Sequence, residues 1–597
     1  MVQIIKTYSA IGSSARSLAN QYSQSLLCLL VLSGILGAIE GISTATWQHP
    51  IETAQVLMGL VTYDHSSLPY IYHVSLFSLL NYAGWLFLAV TNSEISSSIL
   101  LSALLGVVAM QVMAMTAFLV LRNVYVAILI TFLLNAIHFF GPGISYPIIF
   151  MGSEHSYGRA GLFFAMYAVL MLAFSKYRTG FFLCGFAIGI HPAWGLWLAA
   201  CLALVFSTRF VKFKWLLTKR NAAFYLAGLS LPLLIFSWQK LHYPIAIDNA
   251  LVDADAAKNI FLNYIRYWDY HRQRFDQFTV LRNGIFYALV TLCVAAFLRY
   301  YNKKNNANGE ALFFSFAIAS TLLSLPFVFV PSWFDPGIFP SFLVTLMPGR
   351  FINISIFLCP PLLVATLYLC KKELTTVYFM VTILILYAVA SARYNNRHAA
   401  VLVGFIAGII WIGQYIYKRA DLHPKIYLQI RTWSSFITVF LVCLSPAYLI
   451  FKFHLAEKNN FPQIEIPSNV KGSILTTMEH YLVQAETRVS SITPHIDGYS
   501  YIGNPSILLA LDRYTSDLYG ISIATPPSPN LSLHGSVIFT KDYKNLWKSR
   551  TCEEWGALAI QYHFGLILVP ADMHLQLQKI DNDPKWNKYS LKCVLTT

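Results

Sequence analysis

The stretch LLCLLVLSGILGAIEGISTA (residues 26–45) is an apolar run of the length that crosses a bilayer as a helix. Comparable runs of about 17 to 25 residues recur from position 26 to position 451. Hydrophobic residues make up 56% of the 597 residues and charged residues only 12%, and the mean hydropathy is +0.56. The sequence therefore predicts a polytopic α-helical membrane protein with about 11–13 transmembrane helices.

The 25 residues before this first run contain Lys6 and Arg16 but no apolar core followed by a small-residue cleavage site. They predict a retained cytoplasmic tail rather than a signal peptide, so the first span is itself the insertion signal. The net charge of +15 comes largely from Lys and Arg in short loops between the apolar runs, where the positive-inside rule requires them. The charge thus indicates orientation in the membrane, and we expect no nucleic-acid partner.

The basic loops mark the cytoplasmic side of the membrane. They contain Lys176 with Arg178, and then the segments 207–220, 299–306, 369–373 and 417–425. Between them the sequence predicts spans at 222–238, 282–299, 311–330, 352–370, 375–392 and 398–417, and a short hairpin within 181–206 that turns at His191–Pro192. Counting back from Lys176 predicts a span over 159–175 that begins outside, so the loop FMGSEHSYG (150–158) is extracytoplasmic.

The segment 73–92 does not fit this count of crossings, because only one span fits between the first span and Arg122. We assign that span to 97–121. The apolar segment 73–92 is interrupted by Asn81, Tyr82 and Gly84. We expect it to form a helix that lies along the outer leaflet or dips into it.

A last span at 434–451 delivers the rest of the chain to the outer side. This tail alternates β-type runs such as GSILTT (472–477) and FGLILVPA (564–571) with polar, helix-like stretches. We therefore predict a transmembrane domain over 1–452 and an extracytoplasmic α/β domain over 453–597. An outward-facing compartment permits a disulfide between the two cysteines of the tail, Cys552 and Cys593.

Carboxylates gather in the loops predicted on the outer side. Glu40 closes the first span, Glu52 and Asp64 follow in the first outer loop, and Glu154 stands in the second. A carboxylate near the bilayer is costly unless it pairs, binds a metal or lines an aqueous cavity. These acids either mark the interface at helix ends, or supply a general base together with a second carboxylate for an acceptor or a divalent metal.

Several features of layout occur together in this chain. They are a short N-terminus, a first outer loop with an acid soon after span one, an in-plane helix, a second outer loop with an acid, and a C-terminal extracytoplasmic α/β domain. This layout resembles the GT-C superfamily of integral-membrane glycosyltransferases. It is similar to the poorly characterised bacterial members, whose first loop reads like GLVTYDHSSLPYIYHVSLFSL (59–79) and whose later hairpin has a turn like GIHPAWG (189–195).

The resemblance implies transfer of a hexose or pentose from a polyprenyl-phosphate donor to a glycan, lipid or protein acceptor, usually with inversion. The reaction would take place among membrane lipids at the extracytoplasmic face of a bacterial inner membrane. The resemblance makes Glu52 the first candidate for the base, with Glu40 and Asp64 as competitors, and Glu154 the second-loop acid beside His155. The first loop lacks an Asp-x-Asp or Glu-x-Glu pair, so dependence on a divalent cation, Mg or Mn, stays open.

A lipid-phosphate leaving group needs cations at the outer interface, because negative charge develops on it as the sugar departs. The candidates are Arg350, Arg393, Arg397 and His398. The alternative for each arginine is snorkelling to lipid head-groups. His191 is either a residue of the hairpin turn or a further substrate contact. The third outer loop YIRYWDYHRQRFD (264–276) predicts an amphipathic helix on the membrane surface or a lid over a sugar.

Three other classes of protein compete with the glycosyltransferase. A polysaccharide polymerase or O-antigen-ligase-like enzyme meets the same lipid carrier, but such enzymes typically have one large outer loop late in the chain. A glycolipid flippase or transporter needs charge deep within spans or broken helices, whereas these spans are nearly free of charge. A purely structural assembly subunit ranks after both.

Overall fold

The structure is a computed structural model. It describes residues 2–136, 152, 156–208, 213, 216–245, 254–268, 278–303, 308–333, 338, 340, 346, 348–369, 444–461, 464–467, 470–477, 480–493, 505–525, 532–534, 537–539, 541–581 and 583–591. Two predicted spans, 375–392 and 398–417, lie outside these residues. So do five predicted site residues, which are Glu154, His155, Arg393, Arg397 and His398.

The described part of the chain up to residue 369 is helical. Its α-helices are α1 (Val2–Ser43), α2 (His49–Leu57), α3 (Leu68–Ser75), α4 (Leu79–Thr91), α5 (Glu94–Leu121), α6 (Val124–Ala136), α7 (Ser156–Ala173), α8 (Tyr177–Ile190), α9 (Pro192–Thr208), α10 (Lys219–His242), α11 (Ala254–Asn263), α12 (Phe278–Lys303), α13 (Asn308–Trp333) and α14 (Asn353–Leu369). A π-helical turn, Tyr264–Trp268, continues α11, and a 3-10 turn, Pro348–Ile352, precedes α14.

Seven helices in the described ranges are long and apolar enough to cross a membrane. These stretches are Ser23–Ser43, Glu94–Leu121, Ser156–Ala173, Lys219–His242, Gly284–Tyr301, Gly309–Val328 and Gly349–Leu369. Each of them coincides with a span predicted from the sequence. The shorter helices α8 and α9 meet at His191, so the predicted helix break before Pro192 is confirmed. This is the helix content of a polytopic helical membrane protein.

The segment 73–92 bends by 100° between α3 and α4. The break lies at residues 76–78, where Ser78 caps α4 by accepting a hydrogen bond from Leu80 N. Asn81, Tyr82 and Gly84, which interrupt the apolar run in the sequence, lie inside α4. The helix continues through them because their polar side chains have partners: the Asn81 amide donates to a backbone carbonyl, and the Tyr82 hydroxyl donates to a side chain of α10. The predicted position of 73–92 along the outer leaflet stays a prediction.

Helices α1 and α5 approach until their backbones touch. The contact is lined by Gly37 and Gly41 on α1 and by Gly106 on α5. A Cβ atom added to Gly41 would lie 2.8 Å from the Cα atom of Ala103, and one added to Gly106 would overlap the carbonyl of Gly37. Small residues at such spacing let membrane helices pack closely. We call this contact the glycine seam.

Helix ends that the basic loops predict on one side of the membrane meet at one end of the bundle. Arg122, which follows α5, forms an ion pair with Glu310 in the first turn of α13. Gly309 packs against the backbone of Ala173, where α7 ends. The opposite end, at which α1 ends and α5 and α7 begin, also holds α2 to α4, and we call it the first-loop end.

The tail of the chain is an α/β unit. Its helices are α15 (444–459), α16 (His480–Thr487), α17 (Pro505–Tyr519), α18 (Lys541–Ser549) and α19 (Cys552–Tyr562). Its strands are β1 (Ser473–Thr476), β2 (Ser491–Ile492), β3 (Ser532–His534), β4 (Val537–Phe539), β5 (Phe564–Pro570) and β6 (Trp586–Ser590). One sheet has the order β2-β1-β5-β6, in which β1 is parallel to β2 and β5, and β6 is antiparallel to β5. Strands β3 and β4 form a separate antiparallel pair.

The apolar core of this α/β unit includes residues from far upstream. Leu68 and Ile71 of α3 belong to it, as do Tyr264 and Trp268 of the third loop. The Trp268 indole also donates to the Thr525 carbonyl at 2.9 Å. One face of the described part of the third loop is therefore buried against the tail. Its placement on a membrane surface or over a sugar stays a prediction.

The sequence permits a disulfide between the two cysteines of the tail, Cys552 and Cys593. Cys552, at the start of α19, is disulfide-bonded. Its predicted partner, Cys593, lies outside the described residues. The pairing of these two cysteines therefore stays a prediction.

We expect Gly106→Ala to destabilise the bundle, because the new methyl group would overlap the backbone of α1. Overpacking of this kind lowers the free energy of unfolding by about 1–3 kcal/mol. The matched control is Gly556→Ala in α19, where an added Cβ atom meets open space. The control should be neutral or stabilising by up to about 1 kcal/mol. Thermal unfolding in detergent measures both, and equal midpoints for the two variants would contradict the glycine seam.

Candidate functional site

Helix α2, with the sequence HPIETAQVL, begins at the first-loop end and is buried along its whole length. Pro50 fits its first turn, where a missing N–H costs nothing and the fixed φ suits a helix. Glu52 lies in the same turn, where the helix dipole favours a negative charge. Buried polar side chains require partners, so the surroundings of α2 must supply them.

A carboxylate and an imidazole lie side by side on α2. The Nδ1 atom of His49 is 3.3 Å from the Oε2 atom of Glu52, as the i,i+3 spacing allows. The side chains are only 5% and 1% exposed, respectively. A buried carboxylate beside an imidazole can accept a proton and pass it on.

Further partners of α2 come from α3, α4 and α7. The Arg159 guanidinium donates to the Gln48 side-chain oxygen at 2.9 Å, and the Tyr157 hydroxyl donates to the Asn81 side-chain oxygen at 2.6 Å. Tyr157 also lies within hydrogen-bonding distance of Thr53, and it interacts electrostatically with Glu52. The polar side chains gathered here form what we call the Glu52 cluster: Gln48, His49, Glu52, Thr53, His73, Asn81, Tyr157 and Arg159.

A second polar group lies at the turn between α8 and α9. The guanidinium of Arg350 acts electrostatically on His191. The next residue, Phe351, stacks on Trp197 at 4.2 Å and meets Trp194 edge-on at 5.0 Å, so the 3-10 turn is fixed against α9. Among the described residues, the buried Nδ1 of His191 and the buried Nε and Nη2 of Arg350 have no hydrogen-bond partner.

The start of α7 joins the two polar groups. Ala160 packs in one apolar cluster with Ile51, which precedes Glu52, and with Ile190, which precedes His191. One residue further, Gly161 lies so close to His191 that an added Cβ atom would be 2.6 Å from the histidine Cβ. The Glu52 cluster and the His191–Arg350 pair are therefore neighbours at the first-loop end.

The other carboxylates predicted for the site have local partners. Glu40 accepts a hydrogen bond from the Asn135 side chain at 2.9 Å. Asp64 lies in an exposed turn, where its Oδ1 atom accepts from the hydroxyl and the N–H of Ser66. These hydrogen bonds, led by the one from the Ser66 hydroxyl, lower the pKa of Asp64. Within the described ranges, no three His, Cys, Asp or Glu side chains converge to hold a metal ion.

Seven of the eight members of the Glu52 cluster, all except Glu52 itself, were not among the site residues predicted from the sequence. His49 stands three residues before Glu52, a spacing that places both on one helix face. Arg159 is a charge at the start of a predicted span, which itself indicates a site or a partner. Tyr157 carries no comparable sequence signal.

Tyr63 connects the first loop to the tail. Its hydroxyl donates to the Gln484 side-chain oxygen at 2.6 Å and accepts from Ser491 N at 3.0 Å. Burial, helped by the negative charge of Glu52, raises the pKa of Tyr63 well above its ordinary value of 10.0. The hydroxyl therefore keeps its proton, and its hydrogen bonds, into alkaline solution.

We expect Tyr63→Phe to lower the free energy of unfolding by about 1–3 kcal/mol, because buried partners lose their hydrogen bonds. The unfolded chain loses the Tyr63 proton near pH 10 and the folded protein only above it, so this stability is present below pH 10 and is lost as the pH rises further. Thermal unfolding in detergent should show the largest difference from wild type at neutral pH. The control is Tyr300→Phe, at a side chain 72% exposed. A difference that grows above pH 10 would contradict the assignment.

No protein-family model matches this chain, and no curated protein or solved structure shows significant similarity to it. The function is therefore argued from the geometry of the first-loop end.

Proposed function

We propose that this protein is a membrane glycosyltransferase of the GT-C type. It transfers a sugar from a polyprenyl-phosphate donor to a hydroxyl acceptor at the extracytoplasmic face of a bacterial inner membrane. The observation that carries the proposal is the buried Glu52–His49 pair beside the His191–Arg350 pair at one end of a helical bundle. Sugar transfer from a lipid phosphate needs both a base and a cationic group for the phosphate.

Glu52 is the proposed general base. Its carboxylate takes the proton of the acceptor hydroxyl while the acceptor oxygen forms a bond to the anomeric carbon of the sugar. The bond between that carbon and the phosphate oxygen breaks, and its electron pair stays on the released polyprenyl phosphate. Attack from the side opposite the phosphate inverts the anomeric centre. His49, whose Nδ1 atom is 3.3 Å from the Glu52 carboxylate, can then take the proton from Glu52 and pass it on to water.

The His191–Arg350 pair is the proposed site of the donor phosphate. The Nε and Nη2 atoms of Arg350 can donate to phosphate oxygens, and charge-assisted bonds of this kind are strong. His191 can add a neutral hydrogen bond in the tautomer that has its proton on Nδ1. Negative charge grows on the phosphate as the sugar departs, so these bonds are strongest in the transition state. The stacking of Phe351 on Trp197 keeps Arg350 in place before the donor arrives.

Two observations favour Glu52 over its competitors as the base. Asp64 is exposed, and its lowered pKa makes it a weaker base than an ordinary carboxylate. Glu52 alone of the three lies in the cluster next to the His191–Arg350 pair.

One observation favours a glycolipid transporter as the second candidate. The 100° bend between α3 and α4 is the kind of broken helix found in transporters. A transporter moves the lipid-linked sugar without cleaving it, so release of the sugar distinguishes the two functions.

We expect Glu52→Gln to reduce turnover by about 10²- to 10⁴-fold, since the variant keeps the shape of the side chain but cannot take a proton. The probes are polyprenyl-phosphate-linked hexoses and pentoses with a radiolabelled sugar, and the measurement is transfer to water and to native membrane glycans. Donor binding should persist. The matched control, Glu553→Gln on the exposed surface of α19, should have wild-type turnover.

Other results of this experiment would contradict the proposal. Sugar transfer by Glu52→Gln at the wild-type rate would remove Glu52 as the base. Loss of turnover in Asp64→Asn or Glu40→Gln alone would move the role to that carboxylate. Movement of an uncleaved donor across proteoliposomes by the wild type would favour the transporter.

We expect Arg350→Gln to weaken binding of the same polyprenyl-phosphate donors by at least about 10-fold, because two charged donors to the phosphate are lost. The matched control is Arg178→Gln, at an exposed arginine of the opposite end of the bundle. Titration of the purified variants with labelled donor measures both dissociation constants. Equal affinity of the two variants would remove Arg350 from the phosphate site.

A further inference from the structure

Gln484 belongs to α16 of the tail but makes its contacts with the first loop. Its Nε2 atom donates to the backbone carbonyl of Glu52 at 2.8 Å and to the side-chain oxygen of Gln55 at 3.2 Å. Its side-chain oxygen accepts from the Tyr63 hydroxyl at 2.6 Å. The side chain is fully buried.

These contacts use both N–H bonds of the Gln484 amide and its oxygen. A rotation of the amide would break at least two hydrogen bonds in a buried place, which costs far more than at a surface. The amide therefore has one favoured orientation, and in that orientation it fixes the backbone of α2 at Glu52 itself.

Helix α16 is in turn tied to the membrane-spanning helix α5. The Arg488 guanidinium forms two hydrogen bonds with the Glu94 carboxylate, Nε to Oε1 at 2.5 Å and Nη2 to Oε2 at 3.1 Å. Gln55 donates to the same carboxylate at 3.2 Å and to the Ala485 carbonyl at 3.3 Å. Helix α2 is thus held between α5 on one side and α16 on the other.

A helix of nine residues is marginal without tertiary contacts, so its neighbours decide its position. We propose that Gln484 is a positioning residue for Glu52 and that the α/β tail thereby completes the site. The inference rests on the proposed role of Glu52 as the base. Gln484 acts through α2 and has no contact with the reacting sugar in this assignment.

The test compares Gln484→Met with Val483→Ala. Methionine has nearly the length of glutamine but no hydrogen-bond donor, whereas Val483 is its fully buried neighbour in α16 and packs against β1 and β5. The first measurement is release of labelled sugar from polyprenyl-phosphate-linked hexoses and pentoses by the full chain. The second is hydrogen exchange of residues 49–57, which reports on α2 without any substrate.

We expect Gln484→Met to lower kcat by about 10- to 100-fold, as small misplacements of a catalytic group do, and to leave KM unchanged. Exchange of α2 should rise in the same variant. Val483→Ala should lower the melting temperature but change neither kcat nor α2 exchange. A purely structural role for Gln484 would instead give the two variants the same pattern.

A second variant covers the case in which Gln484→Met does not fold. Tyr63→Phe leaves Gln484 present but removes one of the three hydrogen bonds that orient its amide. It should lower kcat in the same direction but less than Gln484→Met, with KM unchanged. Wild-type kcat and wild-type α2 exchange in either folded variant would overturn the inference. Absence of sugar release by the wild type would overturn the proposed function instead, and α2 exchange would still decide whether Gln484 positions Glu52.

Discussion

The burial of the Glu52 carboxylate is the constraint on which the first-loop end depends. Taking a charge out of water costs several kcal/mol unless other groups replace the lost solvent. Here Glu52 lies in the first turn of α2, and the imidazole of His49 lies beside the carboxylate. The backbone at Glu52 is held by Gln484 from the tail. Segments that are far apart in sequence must therefore meet at this point.

The positions of the seven described membrane helices could be predicted from the sequence, because the length and composition of each apolar run are sufficient to identify a span. The break at His191 was predictable for the same reason, since Pro192 acts locally. Asn81 lies within a helix although it is polar, because its side chain finds a partner in the fold. A linear pattern shows that a residue is polar, but it does not show whether another element will satisfy it.

The candidate site could be predicted only in part. The acids of the first loop could be identified from the sequence, but only the family resemblance ranked Glu52 above Glu40. Their different surroundings depend on tertiary partners, which the sequence does not show. Gln484 could not be identified as a site residue from the sequence. A glutamine in a tail helix has no sequence pattern that marks a functional role, and its partner, the Glu52 carbonyl, lies 432 positions upstream.

The tail's apolar core includes residues of the first and third loops, and the tail is synthesised after both. While the chain grows, Leu68 and Trp268 have no core to enter, and the backbone of α2 has no partner in α16. The bundle can insert helix by helix, but the first-loop end takes its final form only when β5 and α16 have emerged. A chain cut short before residue 480 would therefore contain its membrane helices in order but would lack the Gln484 side chain that holds the backbone at Glu52. The first-loop end thus reaches its folded arrangement only when the chain is nearly complete.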